Sequence, residues 1–392
     1  MKTIRLKNKK EAAVLRFHPW IFSGAIERQP QGLEDGDWVE VQAHDGRFLG
    51  MGHFQYGSIS VRLLTFSKGP LGQELWDSKL RDAFAVRKMA GLEDGTPNRC
   101  YRLVHGEGDG LPGLVIDIYG LAAVVQCHSI GMHRDRERIV AALRAVYGEQ
   151  LQAIYDKSQE TLPAKYAAGC KNGYLYGNTA PGVVVENGLK FMVDWESGQK
   201  TGFFLDQRDN RALLSQYAEG KNVLNAFSYS GGFSVYALAA GAVHVDSVDV
   251  SARAVAMVGE NVKLNGFAPG THTAITSDVL AYLRQTGKTY DLMVVDPPAF
   301  AKSLDKRHNA VQGYIRLNAL ALKRLAPGGV MFTFSCSQVV DRQLFHDSIV
   351  AAALEANRQV RVLHELTQGA DHPVSLFHPE GSYLKGLVLY VA

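Results

Sequence analysis

From about residue 186 to the end of the chain, short apolar runs alternate strictly with helical stretches, and few folds accommodate that alternation. Runs around Val223, His244, Thr273, Leu292 and Val330 read as strands, while Ala252 to Leu264 and Val311 to Leu325 read as helices. Strands separated by helices are joined by crossovers, so the sheet is expected to be mostly parallel, with helices on both faces. Gly386 to Val391 reads as a last strand. Ligands of such open sheets bind outside the carboxyl ends of the strands, so the residues that follow each strand are the first candidates for chemistry.

The first three strand ends carry a consistent set. Asn225, Ala226 and Phe227 run into Ser228-Tyr229-Ser230-Gly231-Gly232, where a glycine pair lets backbone approach a ligand at a helix start. The pattern is not the GxGxxG of a dinucleotide site, and a tight strand-to-helix turn explains it equally well. The second strand ends in Asp249-Val250-Ser251, an acidic residue about 20 positions past the glycines, as a ribose-binding carboxylate would be. Asp249 could instead cap the next helix, a task also open to Ser251. The third ends in Asp278-Val279, where Asp278 could accept from an adenine amino group or cap a helix. Taken together, the three ends fit an adenosine-bearing cofactor without a pyrophosphate, namely S-adenosylmethionine. The candidate cofactor residues are Asn225, Phe227, Ser230, Gly231, Gly232, Asp249, Val250, Asp278, Val279 and Asp296.

The fourth and fifth strand ends carry reactive groups. Asp296-Pro297-Pro298-Ala299-Phe300 follows Leu292 to Val295, and Cys336 follows the run ending at Phe334, forty residues later. The prolines fix how Asp296 is presented, or make a rigid turn with a capping carboxylate. A thiol delivered beside a carboxylate suggests a nucleophile that activates a ring carbon, which points to methylation of a pyrimidine. An isolated cysteine is more often inert packing, and its position after the fifth strand is what favours a catalytic role.

The rest of the chain reads differently. Residues 1–70 form a small β-rich module, with runs such as Trp38 to Val41 and Ser58 to Leu64 between turn signals, and Ser67-Lys68-Gly69-Pro70 as a linker. Residues 71–185 mix helices (Leu75 to Ala90, Ile139 to Val146) with strands (Tyr101 to Val104, Leu114 to Asp117, Ala122 to His128, Ala153 to Tyr155), and the polar stretch from Ser158 to Asn178 carries no clear pattern. The first 28 residues hold seven basic side chains (Lys2, Arg5, Lys7, Lys9, Lys10, Arg16, Arg28) against Glu11 and Glu27, which suits a nucleic-acid surface or an ordinary solvated terminus. At 46% hydrophobic and 21% charged, with no apolar run near the ~18 residues of a membrane span, the composition is that of a soluble protein. Cys100, Cys127, Cys170 and Cys336 are scattered without CxxC spacing, so neither a metal cluster nor a disulfide framework is expected, and a reducing cytoplasm fits best.

Longer ordered motifs make the reading specific. They include His18 to Ala25, Gly108-Asp109-Gly110-Leu111-Pro112-Gly113, Lys200 to Arg208, Phe227 to Phe233, the Asp296 and Cys336 runs, Asp371-His372-Pro373 and Pro379 to Gly386. In these the chain resembles, from end to end, the ribosomal RNA large-subunit methyltransferase I family of cytosine-5 methyltransferases. The resemblance implies a multidomain α/β protein: a PUA domain (1–70), a central α+β domain (71–185) and a class I S-adenosylmethionine-dependent methyltransferase domain (186–392). It implies a cytosine of 23S rRNA as acceptor and a homodimer; from the lack of long apolar runs, no membrane partner is expected. By carry-over, Cys336 is the nucleophile and Asp296 contacts the ring near N3, while Lys200, Thr201, Phe204, Asp206 and Arg208 belong to a segment that lies over the cofactor. A solvated hairpin is the alternative for Lys200 and Arg208, and plain core for Phe203 and Phe204.

One departure from a related cytosine-5 group matters. That group has a second cysteine just after the proline of its Asp-x-Pro run, where this chain has Ala299. Another base or water must therefore take the C5 proton; Asp296 is the first candidate, and His372 and Glu380 are further ones that a structural role would explain as well. Three other readings compete. A uridine-5 methyltransferase typically has Asn-Pro after its cysteine, where Ser337-Gln338 stands here. A guanine N-methyltransferase needs no thiol. An RNA-binding protein with a vestigial catalytic domain would bind cofactor without turnover.

Overall fold

The computed structural model describes residues 1–93, 99–301 and 303–392. It divides into two compact units: residues 1–184, 193–205 and 370–381, and residues 185–192, 206–369 and 382–392.

The first unit holds two sheets. The N-terminal six-stranded sheet runs, in spatial order, Trp20–Phe22, Ile59–Thr65, Phe48–Phe54, Trp38–Gln42, Lys2–Leu6 and Ile26–Arg28. Its alternating strands bury Ile4, Leu6, Val39, Val41, Val61 and Leu63 in one core. Strand Phe48–Phe54 has no sequence signature because Gly50 and Gly52 interrupt it. Both glycines are sterically required: a Cβ on Gly52 would lie 1.9 Å from the carbonyl oxygen of Arg62 on the neighbouring strand. The second sheet has five strands, with Gly173–Gly177, Ala153–Asp156, Ala122–Cys127, Leu114–Tyr119 and Cys100–His105 adjacent in that order. Helices Gln73–Met89 and Arg136–Tyr147 pack on it through Trp76, Leu80, Ile139 and Leu143. The two layers are pinned to each other at Asp135, whose carboxylate accepts from Trp38 Nε1 and meets His53 Nε2, both at 2.9 Å. The polar stretch 158–178 resolves into the short helix Ala164–Ala167 and the edge strand Gly173–Gly177.

The second unit is the alternating region. Its strands are β1 (Asn222–Ala226), β2 (His244–Asp249), β3 (His272–Thr276), β4 (Tyr290–Val295), β5 (Leu325–Ser335), β6 (Val360–Leu366) and β7 (Lys385–Val391). Its helices are α1 (Arg208–Leu214), α2 (Gly232–Ala239), α3 (Ala252–Leu264), α4 (Val279–Gln285), α5 (Arg307–Lys323) and α6 (Arg342–Ala356). The sheet order is β3-β2-β1-β4-β5-β7-β6, parallel except for β7, which runs antiparallel to both neighbours. Apolar side chains cover both faces, one cluster built on α4, α5 and α6 and the other on α1 and α2. The edge strand β6 gave no sequence signal because much of it faces solvent and its residues are mixed. Helix α5 starts four residues before the apolar periodicity, at Arg307, since its first turn is solvated.

Glu186 anchors the start of this unit. Its fully buried carboxylate accepts from Arg211 Nε and Nη2, both at 2.8 Å, and from the Tyr236 hydroxyl at 3.1 Å, with Arg208 Nε 3.4 Å away. Two guanidiniums on α1 thus share one carboxylate away from water. Removing it strands buried charge, which costs far more than the pair contributes. Glu186→Ala should therefore lower the unfolding free energy of this unit by about 3–5 kcal/mol in urea denaturation; a loss below about 1 kcal/mol would show that water reaches the guanidiniums.

Candidate active site

The order β3-β2-β1-β4-β5 reverses its winding between β1 and β4, the switch point where parallel α/β sheets bind ligands. The chain leaves β1 through a turn that ordinary residues avoid. Phe227 (φ 61°), Tyr229 (φ 44°) and Gly231 (φ 82°) all have left-handed backbone. Gly231 caps α2, and a Cβ there would lie 2.6 Å from Val258 on α3. The turn is braced from three sides. Asn225 Nδ2 donates to Ser234 Oγ at 2.8 Å, Asn261 Nδ2 donates to the Ser230 carbonyl at 2.8 Å, and Asp249 Oδ2 accepts from Tyr229 N–H at 2.9 Å.

Asp249 stands at the tip of β2, and its Oδ1 accepts from Ser251 N–H at 2.9 Å. The capping role open to it in sequence is taken by Ser251, whose hydroxyl accepts from Ala254 N–H. Each Asp249 oxygen keeps a further lone pair for a hydroxyl donor. Val250 beside it is 74% exposed, an apolar side chain open to a ligand. Asp278 caps α4 by accepting from Ala281 N–H at 2.8 Å, and Val279 is buried under it. Ser228 Oγ is buried with no hydrogen-bond partner. A buried orphan hydroxyl in a glycine turn, beside a carboxylate and an exposed valine, fits a polar ligand with an apolar ring face such as S-adenosylmethionine.

On the other side of the switch point, β4 and β5 pair in register with Val295 opposite Thr333. Asp296 and Cys336 consequently leave the carboxyl ends of adjacent strands. Gln207, just before α1, donates its Nε2 to Asp296 Oδ2 at 2.9 Å, and its Oε1 accepts from Asn210 Nδ2 at 2.6 Å. Tyr314 on α5 lies beneath the site, with its hydroxyl 2.9 Å from Ser335 Oγ and its ring 4.7 Å from that of Phe300. Burial pushes the Tyr314 phenol well up, and Cys336 and Asp296 are the negative neighbours that push it the same way. Ser337 Oγ donates to the Ala301 carbonyl at 2.7 Å, so the two loops are tied to each other. Lys385, the first residue of β7, donates to the Ser337 carbonyl at 2.8 Å.

Cys336 is half-buried at this strand end, whereas Cys127 is fully enclosed and burial pushes its thiol up to about 12. Cys127 is thus held protonated and inert, and Cys336 is placed where a substrate could meet it. Gln207, Tyr314 and Lys385 were not singled out from sequence. Gln207 and Lys385 do lie inside the long motifs, which was the available signal.

The remaining candidates have other engagements. Asp206 Oδ2 accepts from the Tyr383 hydroxyl at 2.6 Å, and Arg208 lies against Glu186. Lys200, Thr201 and Phe204 belong to the first unit. There Thr201 is fully buried and donates to Asp117 Oδ2 at 2.6 Å, while Lys200 Nζ sits 4.6 Å over the Phe204 ring. His372 and Glu380 are also in the first unit. His372 Nδ1 pairs with Asp371 at 2.8 Å, and Glu380 lies 3.6 Å from His18 and 3.8 Å from His378. Among the described residues this trio has the spacing of metal ligands. However, His18 Nδ1 accepts the N–H of Trp20, which puts the ring proton on Nε2, the atom facing Glu380, so that nitrogen has no lone pair to offer a metal.

Comparison with known proteins gives a consistent answer. Residues 102–373 match a family described as S-adenosylmethionine-dependent methyltransferase, and residues 4–66 match a PUA-like domain. The chain is 42% identical over 393 residues to "Ribosomal RNA large subunit methyltransferase I" of Aeromonas salmonicida, with 98% of each chain covered. Two solved structures align over the full length of both chains. One is a SAM-dependent methyltransferase from Streptococcus mutans (25% identity, TM-score 0.84), and the other a methyltransferase complexed with SAH (26%, 0.85). The chain therefore belongs to the ribosomal RNA large subunit methyltransferase I family, S-adenosylmethionine-dependent methyltransferases with a PUA-like domain at the N-terminal end.

Proposed function

We propose that this protein methylates C5 of a cytosine in 23S rRNA through a covalent bond between Cys336 and C6 of the base. The observation that carries the proposal is the delivery of Asp296 and Cys336 from adjacent strand ends at the switch point, with Ala299 where a second cysteine would stand. The glycine turn, Asp249 and Val250 are the residues that would hold S-adenosylmethionine. When bound, that cofactor supplies an electrophilic methyl group. The C5 carbon of cytosine is a poor nucleophile. Addition of the Cys336 thiolate to C6 moves the C5=C6 electron pair onto C5, which can then take a methyl group. Asp296, held by Gln207, would donate to N3 in its protonated form and so offset the charge that develops there. Loss of the C5 proton restores the double bond and expels the thiolate. Asp296 is the carboxylate in this unit best placed to receive that proton, directly or through water.

The names of the relatives and the PUA-like domain support an rRNA substrate. The same resemblance supports a homodimer, and the scattered cysteines support a cytoplasmic setting; light scattering that reads a monomer would set the dimer aside. Among the described residues no helix is long and apolar enough to cross a membrane. The target base must leave its stack to reach a pocket at the strand ends, which favours free or partly assembled rRNA over a mature ribosome.

The decisive experiment is methyl transfer from labelled S-adenosylmethionine to unmodified 23S rRNA, followed by digestion to nucleosides. Wild type should give 5-methylcytidine, and Cys336→Ala should lose at least about 10³-fold in rate, as nucleophile removal does. Label in 5-methyluridine would redirect the reading to uridine, and a methylguanosine that survives Cys336→Ala would make the thiol mere packing.

A second test concerns the N-terminal module. Lys9, Lys10 and Arg16 are exposed, whereas Lys2 and Lys7 are engaged by the carbonyls of Gly32 and Gly24. Replacing Lys9, Lys10 and Arg16 with alanine should weaken RNA binding and flatten its log-affinity against log-salt slope by about 0.7 for each phosphate no longer neutralised. An unchanged slope would place the RNA elsewhere.

A further inference from the structure

We propose that Lys385 is the positioning residue that keeps Cys336 ionised: its ammonium is held against the strand end that carries the thiol and favours the thiolate near neutral pH. The inference rests on Cys336 being the nucleophile.

The placement follows from the ladder. Lys385 is the direct partner of Ser335, the last residue of β5, in the antiparallel β5–β7 pair. Cys336 comes next in the chain, and Lys385 Nζ reaches past it to the carbonyl of Ser337. The lysine is thus fixed to the residues on both sides of the cysteine. It is 5% exposed, which is rare for an ammonium unless something compensates its desolvation. A carbonyl occupies only one of its three protons.

Electrostatics agrees with the geometry. Burial pushes Lys385 down to about 8, and the charge of Cys336 is the leading effect in the opposite direction. Arg342 lowers it further and Asp341 raises it, both at the start of α6. Among the described residues, Cys336 acts electrostatically on Lys385 and on Tyr314 of α5, and Asp296 after β4 acts on the same Tyr314. Asp296 brings a second negative charge near the strand end and disfavours a thiolate, while the phenol of Tyr314, pushed up by burial, stays neutral. Arg342 is 45% exposed and lies 3.6 Å from Glu365, so its charge is screened. Among the described residues, Lys385 is a buried cation coupled to Cys336. Attraction is mutual: if a thiolate raises the lysine, the ammonium favours the thiolate to the same extent. A free cysteine, with a pKa of about 8.5, has only about 3% thiolate at pH 7, so this coupling acts directly on the fraction able to attack.

The test reads the thiol rather than turnover. The full-length protein is alkylated with iodoacetamide across the neutral range, and modification is followed at the Cys336 peptide by mass spectrometry, separately from the other three cysteines. For Lys385→Met the midpoint of the rate–pH curve should rise by about one unit, so that alkylation at pH 7 slows roughly tenfold. Lys385→Arg keeps the charge and should leave the midpoint at or below that of wild type. An unshifted midpoint in Lys385→Met, with a melting curve showing a folded protein, overturns the inference. If the Met variant does not fold, Lys385→Arg decides, because a raised midpoint there also overturns it. Failure of the underlying reading looks different: Cys336→Ala would still methylate cytosine, whatever the alkylation curves show.

Discussion

Register across the parallel pairs β1–β4 and β4–β5 is the constraint on which the site of the second unit depends. Val223 pairs with Leu292, and Val295 pairs with Thr333. These alignments bring the ends of three strands to one edge of the sheet. A slip of one residue would turn every side chain of a strand to the opposite face, and the apolar clusters on both faces forbid it. The same burial that stabilises the sheet therefore fixes where Asp296 and Cys336 emerge. The antiparallel strand β7 obeys the same constraint, since its pairing with β5 sets Lys385 opposite Ser335, next to Cys336 in the chain.

Around this rigid edge the loops are held by polar contacts rather than apolar packing. The turn after β1 keeps two non-glycine residues with left-handed backbone, at a cost of order 1–3 kcal/mol each. Asp249, Asn261 and Ser234 offset it with hydrogen bonds to that turn or to the end of β1. On the β4–β5 side, Gln207 holds Asp296 and Ser337 ties the two loops together. The glycine turn and the Asp296 and Cys336 strand ends are both held by neighbouring side chains, which in the proposed reaction would keep reorganisation small.

Much of this was legible in the chain. The β1 to β5 strands, helix α3 and the final strand follow from apolar runs and turn signals. The carboxylates Asp249, Asp278 and Asp296 were identifiable because each closes a strand. Other elements were hidden for physical reasons. Strand Phe48–Phe54 is interrupted by glycines that a neighbouring backbone requires, and β6 lacks a buried face along much of its length. The choice between Asp249 and Ser251 as helix cap is decided by loop geometry, beyond the reach of residue type.

What the sequence determined by itself is the α/β class of the second unit, the family, and the identity of the groups at the strand ends, because period and spacing are local properties. What only the tertiary structure decided is which distant residues converge on those groups. Gln207 meets Asp296 across 89 positions, Tyr314 meets Ser335 from a helix, and Lys385 reaches the Ser337 carbonyl from the last strand. These partners are set by strand order and register, which depend on burial summed over the whole sheet and leave no mark in any short stretch of chain.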